Sequence, residues 1–248
     1  MAVLVTRPHP DDEATAASLR ARGHQVLLAP MLRFEPVAFH DDADARYGAV
    51  VVTSANALRG IESHLKGHRL LELPLFAVGE HTADAARRAG FSCVISANGD
   101  AGSLRGCVLA SVQAKRLKKA STLLYLAGAD LAHDLAGELG EHGFRVVTHL
   151  TYRMAAVPNL PPEVSNAFAA NGIEAVLHYS RRSARAFLDA ARAAGVEISA
   201  LAVTQCCISD SVAAVLREAG ATQVVVATTP DENALLGALD RALRPVTR

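Results

Sequence analysis

The sequence contains the same pattern twice, and this repeat constrains the fold more than any other feature. The stretch VVVTSANALRG at 50–60 is an apolar run, a polar turn and a helical pattern, and EAVLHYSRRSARAFL at 174–188 has the same order. Farther along, LFAVGEHTADAARRAG at 75–90 corresponds to LAVTQCCISDSVAAVLREAG at 201–220. Two copies of one α/β pattern predict two lobes with a cleft between them.

Short apolar runs alternate with helical patterns along most of the chain. This alternation predicts α/β lobes, each a parallel doubly wound sheet with flanking helices. Residues 37–150 contain four strand–helix steps, whereas the C-terminal part contains only three. We therefore predict that 1–35 joins 155–248 to form lobe 1, and that 37–150 is inserted as lobe 2. The linkers near 36 and 153 would together form a hinge.

Three local assignments follow from the same patterns. Residues 31–42 break the alternation with Pro36 and acidic residues, which indicates a linker. The run 55–65 predicts one helix, and the apolar run at 201–204 predicts a strand.

Composition excludes several classes of protein. The chain has 248 residues with 25 basic and 25 acidic side chains and no Trp, which gives no sign of nucleic-acid binding. The four cysteines have no CxxC spacing, so we expect small buried hydrophobic residues in a reducing cytosol. Neither a signal-peptide pattern nor an apolar run of about 20 residues is found, so we expect a soluble, cytoplasmic protein without membrane contact.

Cofactor and metal motifs are also missing from the sequence. It contains no GxGxxG after a strand, no GxxxxGK[ST] and no GxSxG. The histidines lack metal-ligand spacing, and Asp11, Asp12 and Glu13 suit the first turn of a helix better than a metal site. We therefore expect no cofactor and no metal.

Hydroxyl-bearing and small residues follow many of the predicted strands. In a doubly wound sheet, ligands bind outside the carboxyl ends of the strands, and helix N-termini there favour anions. Ordinary helix capping explains any single one of these turns equally well. Their repetition in two copies favours an anion-binding cleft, in the turns 6–7, 53–56, 79–82, 128–130, 180–183 and 209–211.

These turns resemble those of the uroporphyrinogen-III synthase family, over nearly the full length of the chain. The resemblance rests on the order and spacing of VLVTRP, VVVTSANAL, FAVGEHTADAARRAGF, YLAGAD, HGFRV, LTYR and the segment from VLHYSRRSARAFL to TTPDENALLGAL. It implies two α/β lobes, one inserted in the other and joined by a two-stranded hinge. It also implies a cofactor-independent lyase that cyclises hydroxymethylbilane to uroporphyrinogen III, with loss of water and inversion of the last pyrrole ring.

The resemblance also implies partners and site residues. We expect a monomer that binds a linear tetrapyrrole, and a transient handover from the preceding pathway enzyme. Tyr152 matches the family's hinge tyrosine and would act as a general acid, although a linker residue with its hydroxyl in water is the alternative. Ten further residues match the family's turns and would bind substrate: Thr6, Arg7, Ser54, Asn56, Gly79, Thr82, Gly128, Ser180, Ser183 and Ser211.

The chain departs from the family's pattern in two turns. Asp210 places a negative charge where a polyanion should approach, and Ala132 with His133 stands where the family often has an arginine. An alternative function therefore stays open, a non-catalytic bilobed binder of a polyanionic metabolite. A structural remnant that partners another tetrapyrrole enzyme is a third interpretation.

Overall fold

The computed structural model describes residues 1–40, 44–131 and 133–244. The chain divides into two compact units. Unit 1 comprises Met1–Phe34 and Ala155–Arg248, and unit 2 comprises Glu35–Met154. Every helix among the described residues is too short or too polar to cross a lipid bilayer.

Strands and helices alternate in both units. The strands are β1 (Ala2–Val5), β2 (Gln25–Leu28), β3 (Leu32–Pro36), β4 (Ala49–Val52), β5 (Leu75–Ala77), β6 (Val94–Ser96), β7 (Thr122–Gly128), β8 (Arg145–Ala156), β9 (Ile173–His178), β10 (Thr204–Cys207) and β11 (Val224–Val226). The helices are α1 (Asp11–Ala21), α2 (Ala55–Arg59), α3 (Glu62–Leu65), α4 (Glu80–Arg88), α5 (Ala101–Gln113), α6 (Leu135–Glu141), α7 (Pro162–Ala169), α8 (Arg181–Ala193), α9 (Glu197–Ala202), α10 (Asp210–Glu218) and α11 (Glu232–Ala242), with a 3₁₀ turn at Arg69–Glu72.

The sheet of unit 1 is parallel and has helices on both faces. Among the described residues its five strands have the order β11-β10-β9-β1-β2. One face packs against α1 and α11 through a fully buried cluster that includes Leu19, Leu235 and Leu239. Phe168 of α7 and Phe187 of α8 are also fully buried and pack with ring centroids 6.1 Å apart. The burial of the strands explains their continuous apolar runs.

The sheet of unit 2 has the order β3-β8-β7-β4-β5-β6 among the described residues. Successive side chains of each strand point to opposite faces and enter two separate cores. Val50 and Val52 pack with residues of α2 and α4, whereas Ala49 and Val51 pack with residues of α5 and α6. The α/β fold class predicted from the sequence is confirmed, with flanking helices in both units. The sheet of unit 1 is parallel, and in the sheet of unit 2 the strands β8-β7-β4-β5-β6 are parallel.

The segment 31–42, predicted as a linker, contains a strand, because residues 32–36 form β3. The amide of Val37 donates to the carbonyl of Thr151 at 2.9 Å, and the amide of Val157 donates to that of Met31 at 3.0 Å. From Met31 to Val37 the residue number rises, while that of the bonded partner falls from Val157 to Thr151, so β3 runs antiparallel to β8. The two passages of the chain between units 1 and 2 lie in these two paired strands.

The predicted single helix at 55–65 is also wrong, because it is broken into α2 and α3 at Gly60 and Ile61. A Cβ atom at Gly60 would lie 2.2 Å from the carbonyl oxygen of Thr151. The hydroxyl of Thr151 in turn donates to the carbonyl of Ala57 at 2.9 Å. The close approach of β8 to this turn therefore requires a glycine.

The predicted strand at 201–204 is wrong as well, because α9 extends to Ala202 and β10 begins at Thr204. Gln205 is a polar residue and is nevertheless fully buried within β10. Its side-chain amide donates to the carbonyls of Ala200 and Val203 at 2.7 and 2.9 Å, and these hydrogen bonds make its burial possible.

Gln205 also determines the protonation of a buried histidine. Its Oε1 lies 2.9 Å from Nε2 of His178, at the end of the neighbouring strand β9. Because the amide nitrogen is already used, Oε1 is the acceptor, and Nε2 of His178 must carry the proton. Nδ1 of His178 is buried without a hydrogen-bond partner. Burial lowers the pKa of His178 to about 4.

We predict that stability falls as the pH drops from about 6.5 to about 4. In this range the unfolded chain protonates His178 and the folded chain does not, so the stabilisation is complete above pH 6.5 and is lost towards pH 4. The free energy of unfolding should lose about 3 kcal/mol through this one group. Denaturant unfolding of wild type and His178→Leu at several pH values would measure it.

The variant His178→Leu should show a flatter dependence on pH across this range than the wild type. Replacement of the exposed His142 by Gln provides the control and should leave the wild-type slope unchanged. Parallel pH profiles for wild type and His178→Leu would contradict the prediction.

Candidate functional site

The carboxyl ends of the parallel strands in unit 1 carry five of the predicted site residues. Thr6 and Arg7 follow β1, Ser180 and Ser183 follow β9, and Ser211 follows β10. These three strands are neighbours in the order β10-β9-β1 and are parallel. The sheet therefore brings the turns that carry them to one edge, as the sequence predicted for a doubly wound sheet.

Three of these residues use their hydroxyl groups within the fold. Thr6 is fully buried and donates to the carbonyl of Leu177 at 2.7 Å, which ties β1 to β9. Ser183 is fully buried, and its hydroxyl donates to the carbonyl of Ser180 at 3.1 Å. Ser180 caps α8 by accepting the amide of Ser183 at 3.1 Å. In each case the structure assigns the hydroxyl to strand pairing or helix capping.

Arg7 is mostly buried and lies against its own chain's carboxylates. Its guanidinium contacts Asp11 at 3.0 Å and Glu232 at 3.4 Å, and it stacks over the ring of Tyr179 at 4.4 Å from the centroid. Burial is the main cause that raises the pKa of Tyr179 to about 12, so the phenol stays protonated. The predicted carboxylate-binding arginine thus already binds carboxylates.

Ser211 is exposed at the start of α10, within 3.1 Å of the hydroxyl of Ser209. Asp210 is exposed beside it and is the first residue of this helix. A carboxylate in the first turn is favourable to the helix dipole, which gives Asp210 a structural reason. The carboxylate of Asp210 also partly neutralises the positive charge of the α10 N-terminus, to which an anion would otherwise bind.

The edge of unit 2 carries the remaining predicted residues. Ser54 follows β4 and caps α2 by accepting the amide of Asn56 at 3.2 Å, and Asn56 is half-buried. The neighbouring Thr53 hydroxyl lies 3.1 Å from that of Tyr125 on β7. Burial raises the pKa of Tyr125, which keeps this phenol protonated as a hydrogen-bonding group.

Gly79 caps α4 after β5 and leaves open space beside its backbone. No atom lies within 4 Å of the position that a Cβ would occupy there. The space beside Gly79 therefore lies next to the N-terminus of α4, where helix geometry favours an anion. Thr82 is buried in the first turn of the same helix, so its hydroxyl faces the protein interior.

Gly128 and Tyr152 come together at the carboxyl end of β7. They are partners in the register of β7 and β8, and the amide of Ala129 donates to the carbonyl of Tyr152 at 2.9 Å. A Cβ at Gly128 would lie 2.7 Å from Cζ of Tyr152 and 2.9 Å from its hydroxyl oxygen. The ring of Tyr152 therefore lies directly over Gly128, which places its hydroxyl at this edge of the sheet.

The cysteines differ in exposure, and His133, in the second turn that departs from the family pattern, is exposed. Cys206 and Cys207 are buried as expected, and burial raises the pKa of both thiols to about 12. Cys93 is exposed, so the expectation of burial is wrong there, since it precedes β6 at the edge of the sheet. Ala132 lies outside the described residues, and the neighbouring His133 is exposed and pairs with Glu138.

No group of three or more His, Cys, Asp or Glu side chains in the described ranges is placed to hold a metal ion. Sequence reasoning missed Glu232 and Tyr179, which contact the predicted site residue Arg7. It also missed Thr151, which precedes Tyr152 and bonds to Ala57. The sequence around each of these residues indicated only a helix start or a strand end. No local motif marks their contacts, because their partners are distant in the chain.

A family model described as uroporphyrinogen-III synthase HemD matches residues 13–237. The chain belongs to the uroporphyrinogen-III synthase family. The family resemblance stated from the sequence is therefore confirmed. No curated protein matches the sequence at a significant level.

Solved structures of uroporphyrinogen-III synthases have the same fold as this chain. The uroporphyrinogen-III synthetase of Helicobacter pylori is 20% identical, with a TM-score of 0.65 over 98% of this chain and 99% of the other. A mutant uroporphyrinogen III synthase from the thermophilic bacterium Thermus thermophilus is 18% identical, with a TM-score of 0.56 over 98% and 99% of the two chains. At these identities the likeness concerns the fold.

We predict that Gly128→Ala displaces the ring of Tyr152 and destabilises this member of the uroporphyrinogen-III synthase family. The added methyl would overlap the ring and the backbone cannot yield within two paired strands, so the cost is about 1–3 kcal/mol. Denaturant unfolding gives the cost, and NMR spectra of tyrosine-labelled protein report the ring's environment.

Gly106→Ala is the matched control for the Gly128 variant. Gly106 is exposed in α5 with nothing near its missing Cβ, so the same change should stabilise the helix by up to about 1 kcal/mol. Unchanged stability and an unshifted Tyr152 resonance in Gly128→Ala would contradict the proposed contact.

Proposed function

We propose that this chain is a uroporphyrinogen-III synthase that cyclises hydroxymethylbilane with Tyr152 as its general acid. Family membership supports the reaction, and the contact between Gly128 and Tyr152 is the observation that supports the acid. It holds a hydrogen-bond donor at the carboxyl edge of the unit 2 sheet, where ligands of doubly wound sheets bind.

Tyr152 would assist the departure of the substrate's terminal hydroxyl group. Its phenol donates a proton as the carbon–oxygen bond breaks, so that water leaves, a reactive azafulvenium cation is formed, and the phenol becomes a phenolate. The substituted carbon of the last ring then attacks, a spiro intermediate forms, and rearrangement gives the inverted ring. The proton that the substrate releases on closure restores the phenol.

Positioning would supply most of the catalysis. Uncatalysed closure gives the uninverted isomer, so the protein must hold the linear substrate in the conformation that leads to inversion. Held carboxylates fix that conformation, and oriented donors stabilise the charge that develops. This role requires many groups that bind anions and a single weak acid. The candidate side chains at the carboxyl edges of the two sheets are of these kinds.

The anion contacts differ in how well the structure suits them. Arg7 offers a guanidinium, Asn56 an amide, and Gly79 the start of α4 with open space beside it. We assign to the same role the accessible hydroxyl groups of Ser54, Ser180 and Ser211. Thr6, Thr82, Ser183 and Gly128 would act indirectly, because they are buried and shape the turns that carry the others.

We also infer a monomer in the cytoplasm that receives its substrate from the preceding pathway enzyme. The four cysteines are free thiols, which suits a reducing compartment. The handover agrees with the reactivity of a linear hydroxymethylbilane, which closes spontaneously in water.

The decisive assay supplies hydroxymethylbilane and separates the two uroporphyrin isomers after oxidation. We expect type III well above the spontaneous background. A well-folded protein that yields only type I would overturn the proposed function and would favour the non-catalytic binder of a polyanionic metabolite.

We predict that Tyr152→Phe lowers kcat by roughly tenfold or more, because the departing hydroxyl loses its proton donor. Steady-state rates of type III formation would measure the effect. Tyr47→Phe is the matched control in the same unit, since Tyr47 precedes β4 and lies at the opposite, amino end of that strand. Equal rates for wild type and Tyr152→Phe would remove Tyr152 from the mechanism.

A further inference from the structure

Arg7 has an inner and an outer side in the structure. On the inner side, its Nη1 donates to Oγ1 of Thr15 at 3.1 Å and lies 3.4 Å from Oε2 of Glu232. On the outer side, its Nη2 donates to Oδ2 of Asp11 at 3.0 Å. The guanidinium plane stacks on Tyr179 and is 20% exposed. Two carboxylates of the protein therefore occupy the group that a substrate carboxylate would need.

The carboxylate on the inner side is firmly held. Glu232 accepts from the hydroxyl groups of Thr15 and Tyr179 in addition to its contact with Arg7. Thr15 is fully buried, and Tyr179 is half-buried. Displacement of Glu232 would leave the buried hydroxyl group of Thr15 without its acceptor, which is costly.

The carboxylate on the outer side is weakly held. Asp11 is 58% exposed, and a salt bridge to an exposed side chain contributes little to stability because water screens it. Asp11 is the first residue of α1, so it keeps a favourable position at the helix N-terminus after it leaves Arg7.

Charge balance requires that one carboxylate leave when another binds. Asp11 and Glu232 already exceed the single positive charge of Arg7. A third carboxylate would bring net repulsion, whereas exchange of Asp11 for a substrate carboxylate keeps the local charge constant. The planar fork of an arginine accepts either partner with the same geometry.

We propose that Asp11 is an internal competitor that a substrate carboxylate displaces from Nη2 of Arg7, while Glu232 stays as the residue that positions Arg7. This inference rests on the proposed function, in which Arg7 binds a carboxylate of the linear tetrapyrrole. Asp11 thereby tunes affinity: it keeps Arg7 extended and paired in the free protein, and it weakens the binding of every ligand that uses Arg7.

The test compares three substitutions that each remove one negative charge. Asp11→Asn should lower KM for hydroxymethylbilane by about threefold to tenfold and leave kcat unchanged, because only binding gains. Glu13→Gln removes a charge from the same first turn without contact to Arg7, and its KM should stay within about twofold of wild type. Glu232→Gln should not lower KM, because its carboxylate is not the one that leaves.

A double-mutant cycle ties the effect to Arg7. In an Arg7→Lys background, where the planar fork is absent, Asp11→Asn should lower KM by less than half of its fold-change in wild type. Thermal unfolding checks that each variant folds. An unchanged or raised KM in Asp11→Asn, or an equal decrease in Glu13→Gln, would overturn the proposal.

Equilibrium binding separates this inference from the proposed function. Uroporphyrin III is a stable polycarboxylate tetrapyrrole, and its fluorescence reports binding without turnover. Asp11→Asn should bind it about threefold to tenfold more tightly than wild type, even if the wild type forms no type III isomer. Equal affinities in this assay overturn the exchange, whereas a lack of type III with tighter binding overturns only the enzymatic function.

Discussion

The close contact of β8 with two glycines is the constraint on which the candidate acid depends. Gly60 allows the carbonyl of Thr151 to approach the turn after α2, and Gly128 allows the ring of Tyr152 to lie over the end of β7. Thr151 and Tyr152 are adjacent, so one residue anchors the strand and the next presents the phenol. Without either glycine, this part of β8 could not lie where the pairing with β7 requires it.

The other sheet depends on buried polar contacts at the ends of its central strands. Thr6 ties β1 to β9 through the carbonyl of Leu177, and Gln205 joins β10 to His178 and to the end of α9. A strand of polar and small residues can be buried only because each amide hydrogen of Gln205 has an acceptor. These contacts fix the turns from which Arg7 and Ser180 extend.

The edges of the two units differ in electrostatics. In unit 1 the guanidinium of Arg7 is enclosed by the protein's own carboxylates, whereas the start of α4 in unit 2 is open beside Gly79. Under the proposed function, a carboxylate that binds at Arg7 would have to replace one of these internal partners.

The sequence by itself determined the fold class, the family and the edge of each sheet at which the candidate residues lie. Those features follow from local periodicity and from turn motifs, which a chain carries in its own order. The strand predicted at 201–204 was misplaced, because β10 begins at Thr204 and includes the buried polar Gln205.

Only the tertiary structure decided which hydroxyl groups are committed, which glycines are required and which carboxylates face Arg7. Glu232 is more than two hundred residues from Arg7 in the chain, and Thr151 meets Ala57 across 94 residues. Such contacts arise because parallel strands bring distant turns to one edge, and no local pattern records which turns become neighbours. The sequence therefore indicated which turns carry the candidate residues, and the packing of the strands determined which of their atoms are already bonded within the protein.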